Sequence, residues 1–145
     1  MKKISIILFA AVAAIACKNN NANNSAVKDP ATDTANFTTV QWIDSSINFG
    51  EIEKGKTATV KFRCKNTGTK SLIIVNVQPG CGCTVADYTK TPVAPNGEGE
   101  VTALFDSKKV GTVGEVHKSI FVTTNTLNGY TTLSFSGTIN DKNSQ

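Results

Sequence analysis

The sequence predicts an all-β protein, an antiparallel β-sandwich of about seven strands. Three observations indicate this architecture. Between residues 38 and 140 the chain consists of short runs of alternating apolar and polar residues, the period of half-buried strands. Turn-forming residues separate these runs at intervals of about 8–12 residues, as in sandwiches. No segment carries the apolar stripe of an amphipathic helix. An open barrel of similar strand number is the alternative.

The first half of this region contains three predicted strands. Residues 39–43 and 47–49 are interpreted as one strand that is broken in the middle. Residues 57–65 alternate without a fault, which indicates one buried face and one exposed face. A turn signal at residues 66–69 follows, and the β-branched run 72–77 then predicts the next antiparallel strand. The inward residues of the alternating strand are Ala58, Val60, Phe62 and Cys64.

The second half contains three further strands. Residues 99–105 alternate, with Val101, Ala103 and Phe105 predicted to face inward, whereas residues 116–124 form a strand of ambiguous phase. After a turn at 125–129, residues 130–139 place Leu133, Phe135 and Ile139 on one face. The strands together make one domain of ordinary size for a single core, predicted over residues 38–140.

The N-terminus has the features of an export signal. Lys2 and Lys3 precede 13 uncharged residues, 4–16, a stretch too short for a membrane-spanning helix but suited to a signal peptide. Residues 14–17, Ala-Ile-Ala-Cys, resemble the lipobox of bacterial lipoproteins. We therefore expect residues 1–16 to be removed and Cys17 to carry lipid, anchoring the protein in the cell envelope, at the outer membrane facing the periplasm. Secretory cleavage after Ala16 without lipidation is the alternative.

The segments that flank the predicted domain are polar. Residues 18–36 contain one Val and no aromatic residue, too little apolar surface to offset the entropy of ordering. Residues 17–37 are therefore predicted to be the lipidated cysteine and a disordered linker, and 141–145 a disordered tail. Without the signal peptide the chain has 13 Lys and Arg against 11 Asp and Glu, scattered along its length. This distribution does not favour a nucleic-acid partner.

The order of several motifs is similar to that of one known family. The motifs are Ile-Asn-Phe-Gly-Glu-Ile at 47–52 with Lys54-Gly55, Asn-Thr-Gly at 66–68, and Pro-Gly-Cys-Gly-Cys-Thr at 79–84. From Trp42 to Ile139 the chain resembles the domain of unknown function 1573 family of bacterial envelope lipoproteins. The resemblance implies an immunoglobulin-like fold, related in pattern to the major sperm protein and the pilus chaperones, and an envelope location. It implies no activity.

Three cysteines lie inside the predicted domain, which leaves an odd thiol in an oxidising compartment. Cys64 is predicted to be a small core residue, with a disulfide to Cys81 or Cys83 as the alternative. Three uses are open for Cys81 and Cys83: shaping the loop, cycling between dithiol and disulfide, or binding Cu(I) or Zn(II). Two ligands do not complete a zinc site, so a metal would also need Cys64 or His117. No cofactor is firmly indicated.

Other polar and aromatic residues give weaker indications. His117 is interpreted as a surface histidine, and Trp42 either fills the core or lies exposed at a binding edge. Lys108 and Lys109 lie in a glycine-containing segment without the Gly-Lys-Ser/Thr pattern, so they indicate a solvated loop rather than a phosphate site. No catalytic motif is present, and no small-molecule substrate is evident.

The leading hypothesis is therefore a lipid-anchored, non-enzymatic binding or assembly module that contacts another envelope protein. Sandwich domains bind partners through end loops and edge strands. The candidate interaction loops are 79–88, with Pro79, Gly80, Gly82 and Thr84, and 106–114, with Lys108 and Lys109. The alternative is a thiol-redox or soft-metal protein centred on Cys81, Gly82 and Cys83.

Overall fold

The computed structural model describes residues 31 and 33–141, and these form two facing β-sheets. Within this part of the chain no helix is long and apolar enough to cross a membrane. The export signal, Cys17, most of the predicted linker and residues 142–145 of the predicted tail lie outside the described residues. The elements are, in order, a 3-10 helix (Thr34–Asn36), β1 (Val40–Trp42), β2 (Ser46–Glu53), β3 (Thr57–Asn66), β4 (Ile74–Pro79), β5 (Thr84–Tyr88), β6 (Glu98–Asp106), a second 3-10 helix (Ser107–Lys109), β7 (Gly114–Thr124) and β8 (Tyr130–Asn140).

The strand order is β1-β3-β6-β5 in the first sheet and β2-β8-β7-β4 in the second. The predicted β-sandwich is thus confirmed, with eight described strands rather than about seven. One pairing departs from the antiparallel prediction, because β2 runs parallel to β8. The second sheet is therefore mixed.

The core lies between the sheets and is formed by every second residue of the long strands. The alternation predicted for β3, β6 and β8 is confirmed, and β7, whose phase was ambiguous, faces inward at its even-numbered positions. Burial at this period removes one face of each strand from water. The fully buried large side chains include Phe62, Phe105, Phe135, Leu72, Ile120, Leu133, Ile139, Val60, Val101 and Val122.

Three aromatic rings from three strands meet at the centre of the core. The ring centroids of Phe49 and Phe105 are 5.6 Å apart, those of Phe105 and Phe135 5.7 Å, and those of Phe49 and Phe135 6.2 Å. These tilted and edge-on arrangements are the ones that aromatic quadrupoles favour. Gly137 leaves room for this cluster, because a Cβ atom at that position would overlap the Phe49 ring.

The segment predicted as one broken strand is instead two strands in different sheets. Trp42 in β1 pairs with Cys64 of β3, whereas β2 starts four residues later and pairs with Ser134 of β8. The chain crosses between the sheets at residues 43–45. An interruption within one strand and a crossing between two sheets have the same local sequence pattern. Both require only a few polar residues between two apolar runs.

The run 72–77 also lies in a different sheet from the strand that precedes it. It was predicted as the next antiparallel strand, but the ladder starts at Ile74 and pairs with β7 rather than with β3. Leu72 forms an isolated bridge with Val93 instead. The crossing lets both Leu72 and Ile74 reach the core, where each is buried.

A buried asparagine, Asn66, fixes the loops at the end of β3. Its Oδ1 accepts hydrogen bonds from Thr38 Oγ1 (2.8 Å) and from the Gly68 N–H (3.1 Å). Its Nδ2 donates to the carbonyls of Lys70 (2.7 Å) and Val93 (2.9 Å). All four hydrogen-bonding positions of the amide are therefore used, as a buried polar side chain requires.

A second buried asparagine, Asn125, acts in the same way at the end of β7. Its Oδ1 accepts from the Ile73 N–H (2.7 Å), and its Nδ2 donates to the carbonyls of Asn36 (2.8 Å) and Ser71 (2.9 Å). Asn66 and Asn125 together hold residues 36–38, where the chain enters the sandwich, against both sheets.

Candidate functional site

Cys81 and Cys83 are bonded to each other in the structure, with their Cα atoms 5.3 Å apart. The bridge lies in the corner that joins β4 of one sheet to β5 of the other. The Gly80 N–H donates to the Ser119 carbonyl, and the Asp106 N–H donates to the Cys83 carbonyl, each at 2.9 Å. The disulfide therefore closes a corner whose two ends are already hydrogen-bonded to β7 and to the end of β6.

The segment 79–88, predicted as an interaction loop, is mostly regular structure. Pro79 ends β4, Gly80 and Gly82 are exposed in the corner, and Thr84 starts β5 with a buried side chain. The strand was missed because Ala86 and Asp87 are poor strand formers that interrupt its pattern. As β5 is the outer strand of the first sheet, the region offers a strand edge rather than a flexible loop.

Cys64 is a free, buried thiol, as the core prediction requires. Burial raises its pKa, opposed in part by a hydrogen bond from the backbone of Gly99. Cys64 pairs with Gly99 near the start of β6, whereas Cys83 lies beside Asp106 at its end. The seven intervening steps correspond to about 23 Å, far beyond the reach of a disulfide. The alternative pairing of Cys64 with Cys81 or Cys83 is therefore wrong.

His117 and the two lysines lie on the surface. The Nε2 atom of His117 is 3.2 Å from Glu115 Oε1, and both side chains are exposed. Lys108 and Lys109 are exposed in the second 3-10 helix, where the Lys108 N–H donates to Asp106 Oδ1 (2.9 Å). Across residues 31 and 33–141 there is no group of three or more His, Cys, Asp or Glu side chains able to hold a metal ion.

Sequence reasoning overlooked Ser107, which is fully buried beside these lysines. Its hydroxyl accepts from the Gly55 N–H (2.8 Å) and donates to the Lys56 carbonyl (2.7 Å). It thereby ties the turn between β2 and β3 to the end of β6. The segment 106–114 is thus anchored at its start, where residues 107–109 form the second 3-10 helix.

The outer face of the first sheet is charged. Lys61 Nζ lies 3.1 Å from Glu100 Oε1, and Arg63 Nε lies 2.8 Å from Asp44 Oδ2. The hydrogen bond from Arg63 lowers the pKa of the Asp44 carboxyl. These pairs are solvent-exposed and contribute little to stability. Val85 and Leu104, which pair on the same face, are also exposed.

Trp42 lies at the end of β1, partly buried against the core, which combines the two sequence interpretations. Its Nε1 atom is buried and has no hydrogen-bond partner among the described residues. The ring lines a cleft of about 330 Å³ between β1 and the start of β8, here called the β1–β8 cleft. Its lining residues are Thr38, Thr39, Val40, Trp42, Thr126, Leu127, Asn128, Tyr130 and Thr131, all of them uncharged.

The two most exposed large hydrophobic side chains of the described residues lie at the rim of this cleft. Leu127 is 85% exposed and Tyr130 76%, and Ile43 just beyond Trp42 is 44% exposed. Sequence reasoning missed the cleft because its two walls are more than 80 residues apart in the chain. The available signal was Leu127, an apolar residue in the otherwise polar turn 125–129.

The two facing sheets, the strand order and the crossing connections define an immunoglobulin-like β-sandwich. The chain belongs to the family described as "Protein of unknown function (DUF1573)", whose sequence profile matches residues 40–139. The family resemblance drawn from the sequence is therefore confirmed. No curated protein matches the chain in sequence.

Solved structures that share this fold include two that superimpose over most of this chain. A protein of unknown function from Porphyromonas gingivalis W83 superimposes with a TM-score of 0.64 at 16% identity, over 77% of this chain and 51% of that one. The chain thus spans about half the length of that protein. The ASH/PapD-like domain 7 of human CEP192 gives a TM-score of 0.58 at 13% identity, over 97% of this chain and 98% of that one. At these identities the likeness shows the fold alone, and neither comparison supports a thiol-redox or metal role.

Replacing both Cys81 and Cys83 by Ser is expected to lower the free energy of unfolding by roughly 1.5 kcal/mol, because so short a loop constrains the unfolded chain only slightly. Urea unfolding of the variant and of the wild type measures the difference. Wild-type protein treated with dithiothreitol should match the variant. A loss well above 3 kcal/mol would mean that the bridge stabilises more than this corner.

Proposed function

We propose that this protein is a lipid-anchored lipoprotein of the bacterial cell envelope, at the outer membrane facing the periplasm. Its immunoglobulin-like domain serves as a non-enzymatic binding or assembly module for another envelope protein. The proposal combines the N-terminal export signal, the cysteine at position 17 and the surface of the folded domain. Membership of the family and the fold are compatible with it but name no partner.

The observation that carries the binding role is the β1–β8 cleft. Apolar side chains that are exposed together beside a concave surface are typical of interaction sites. Here Leu127 and Tyr130 are largely exposed and both line the cleft. A partner that covered the cleft would remove this surface from water.

The polar segment 18–32 suits an anchored binding module. As a flexible chain, these fifteen residues would have a root-mean-square reach of about 20 Å. The domain would then search the space near the membrane while remaining attached. Such tethering raises the effective concentration of the domain toward partners in the same membrane.

Lipidation is tested by labelling cells with an alkyne analogue of palmitate and capturing the full chain through a C-terminal tag. We expect label on the wild type and on Cys64→Ala, and none on Cys17→Ser. The Cys17→Ser variant should also fractionate away from the membrane, because it lacks the acyl chains that hold a lipoprotein there. Unlabelled, soluble wild-type protein would contradict the anchor and favour plain secretion.

Binding is tested by crosslinking in intact cells, followed by capture of the tagged full chain and identification of the bound proteins. We expect enrichment of an envelope protein over a tag-only control, and the same protein with the Cys81→Ser, Cys83→Ser double variant. If the double variant folds but loses the partner, the thiol alternative gains. If nothing is enriched over the control, the binding role is wrong.

A further inference from the structure

We infer that the β1–β8 cleft accepts an uncharged, extended segment of the partner protein as an added strand alongside the start of β8. This inference rests on the proposed binding role and names its mode and the chemistry of the partner. Recognition by strand addition uses main-chain hydrogen bonds for affinity and side-chain pockets for specificity. Both are present in the cleft.

The start of β8 has an open edge, because β2 covers only the later part of the strand. The first residue of β2 pairs with Ser134, so the segment 130–133 has β7 on one side and, among the described residues, no strand on the other. This open edge spans about 13 Å at the rise of a β-strand. A short added strand would continue the line of β2 and complete the second sheet.

The hydrogen-bond pattern of β8 shows which backbone groups point to the open edge. The Thr124 N–H donates to the Gly129 carbonyl, so every second residue from Gly129 bonds to β7. Thr132 therefore directs both its N–H and its C=O away from β7. Further along the same edge, the Ser134 N–H donates to the Ser45 carbonyl. Thr132 has no such neighbour among the described residues.

The opposite wall is the outer edge of β1. The Thr67 N–H donates to the Thr39 carbonyl, and the Ile43 N–H donates to the Arg63 carbonyl. By the same alternation, Val40 and Trp42 direct their backbone groups away from β3 and towards the open side. An occupant of the cleft would thus lie between two strand edges that no strand in the described part of the chain covers. Such edges are usually covered or protected by charged side chains.

The charge of the lining selects the kind of segment. All nine lining residues are uncharged, whereas the outer face of the first sheet carries Lys61–Glu100 and Arg63–Asp44 pairs. A charged side chain placed in the cleft would lose water without gaining an opposite charge. An uncharged segment with alternating apolar residues complements this surface and covers Leu127 and Tyr130.

Trp42 provides a probe of the cleft. Its side chain lines the cleft, whereas its Nε1 atom is buried and has no hydrogen-bond partner among the described residues. Trp42 is also the only tryptophan in the sequence, so its indole signal reports on the cleft without ambiguity.

The test uses an acetylated and amidated hexapeptide of alternating threonine and valine, added to the ¹⁵N-labelled mature chain. We expect saturable shifts of the Trp42 indole N–H and of the Thr132 amide, and slower hydrogen exchange at Thr132. The same peptide with its two central amides N-methylated should not bind, because it cannot pair with β8. Equal binding of the methylated peptide would overturn strand addition.

Two matched variants locate the site. Leu127→Lys places a charge at the cleft and should weaken peptide binding about tenfold or more. Val85→Lys makes the same kind of change on β5, at the far edge of the first sheet, and should leave binding unchanged. Equal effects of the two variants would overturn the assignment to the cleft.

The remaining outcomes are also decisive. If the wild type does not bind the peptide but a chain lacking residues 18–30 does, the cleft is occupied by the protein's own linker and not by a partner. If neither chain binds, the strand-addition proposal is wrong. An envelope protein that is still captured equally by the wild type and by Leu127→Lys would leave the binding role standing and remove only the cleft.

Discussion

Replacing Phe135 by Ala is expected to lower the free energy of unfolding by about 3–5 kcal/mol, the usual cost of removing a buried phenylalanine ring. Phe135 is 1% exposed and touches the rings of both Phe49 and Phe105. Domains of this size are stable by only about 5–15 kcal/mol. The variant should therefore unfold at a markedly lower urea concentration, which circular dichroism measures directly.

The matched control is Phe121→Ala on the neighbouring strand β7. Phe121 is 48% exposed and faces outward, so its removal should cost less than about 1 kcal/mol. The two variants delete the same atoms from opposite faces of one sheet. Similar losses from both would contradict the placement of the core between the sheets.

Replacing Asn66 by Ala is expected to cost about 3–4 kcal/mol, although the amide contributes almost nothing to the apolar core. The substitution removes a hydrogen bond from four polar groups, of which only the Val93 carbonyl keeps another, from the Leu72 N–H. Each buried group left unsatisfied costs about 1–3 kcal/mol unless water enters. One of the four is the hydroxyl of Thr38, which lines the β1–β8 cleft. Peptide binding should weaken together with stability.

Two further substitutions sharpen this prediction. Asn66→Asp keeps an oxygen acceptor but loses both donors and buries a charge, so it should be no more stable than Asn66→Ala. Asn76→Ala changes an exposed asparagine of β4 and should alter the free energy of unfolding by less than about 0.5 kcal/mol. An Asn66→Ala variant as stable as Asn76→Ala would contradict the role of Asn66 in fixing the loops at the end of β3.

The strands that were predicted most accurately from the sequence are those with one buried face and one exposed face. In β3, β6 and β8 the apolar residues recur at every second position, and this period alone determines which side chains are buried. β7 was recognised as a strand but not phased, because apolar residues occur on both of its faces, Phe121 outward and Val122 inward. The correct phase depends on the neighbouring β8.

The sequence did not indicate which of the two sheets each strand joins. Residues 40–42 and 46–53 have ordinary strand patterns, and nothing local tells the first to join β3 and the second β8. The same holds for β4, which pairs with β7. Which sheet a strand joins is determined by long-range packing between the two sheets. It therefore depends on the complete core and not on the sequence of the strand alone.

At the candidate sites, the environment of single residues was predicted better than the groups of residues that the fold brings together. The inward phase of β3 placed Cys64 in the core correctly. The bond between Cys81 and Cys83 was one of several open possibilities, since spacing alone does not decide pairing. The cleft could not be predicted, because it arises only when Trp42 and Leu127 are brought together by the fold.

The central claim is that this domain binds an envelope protein through the β1–β8 cleft. It is tested most directly by placing a photo-crosslinking amino acid at position 127, or at position 85 as control, in the full chain expressed in its own cells. We expect illumination to give a discrete crosslinked product from position 127 and none from position 85. A product from position 85 alone, or from neither position, would contradict the account.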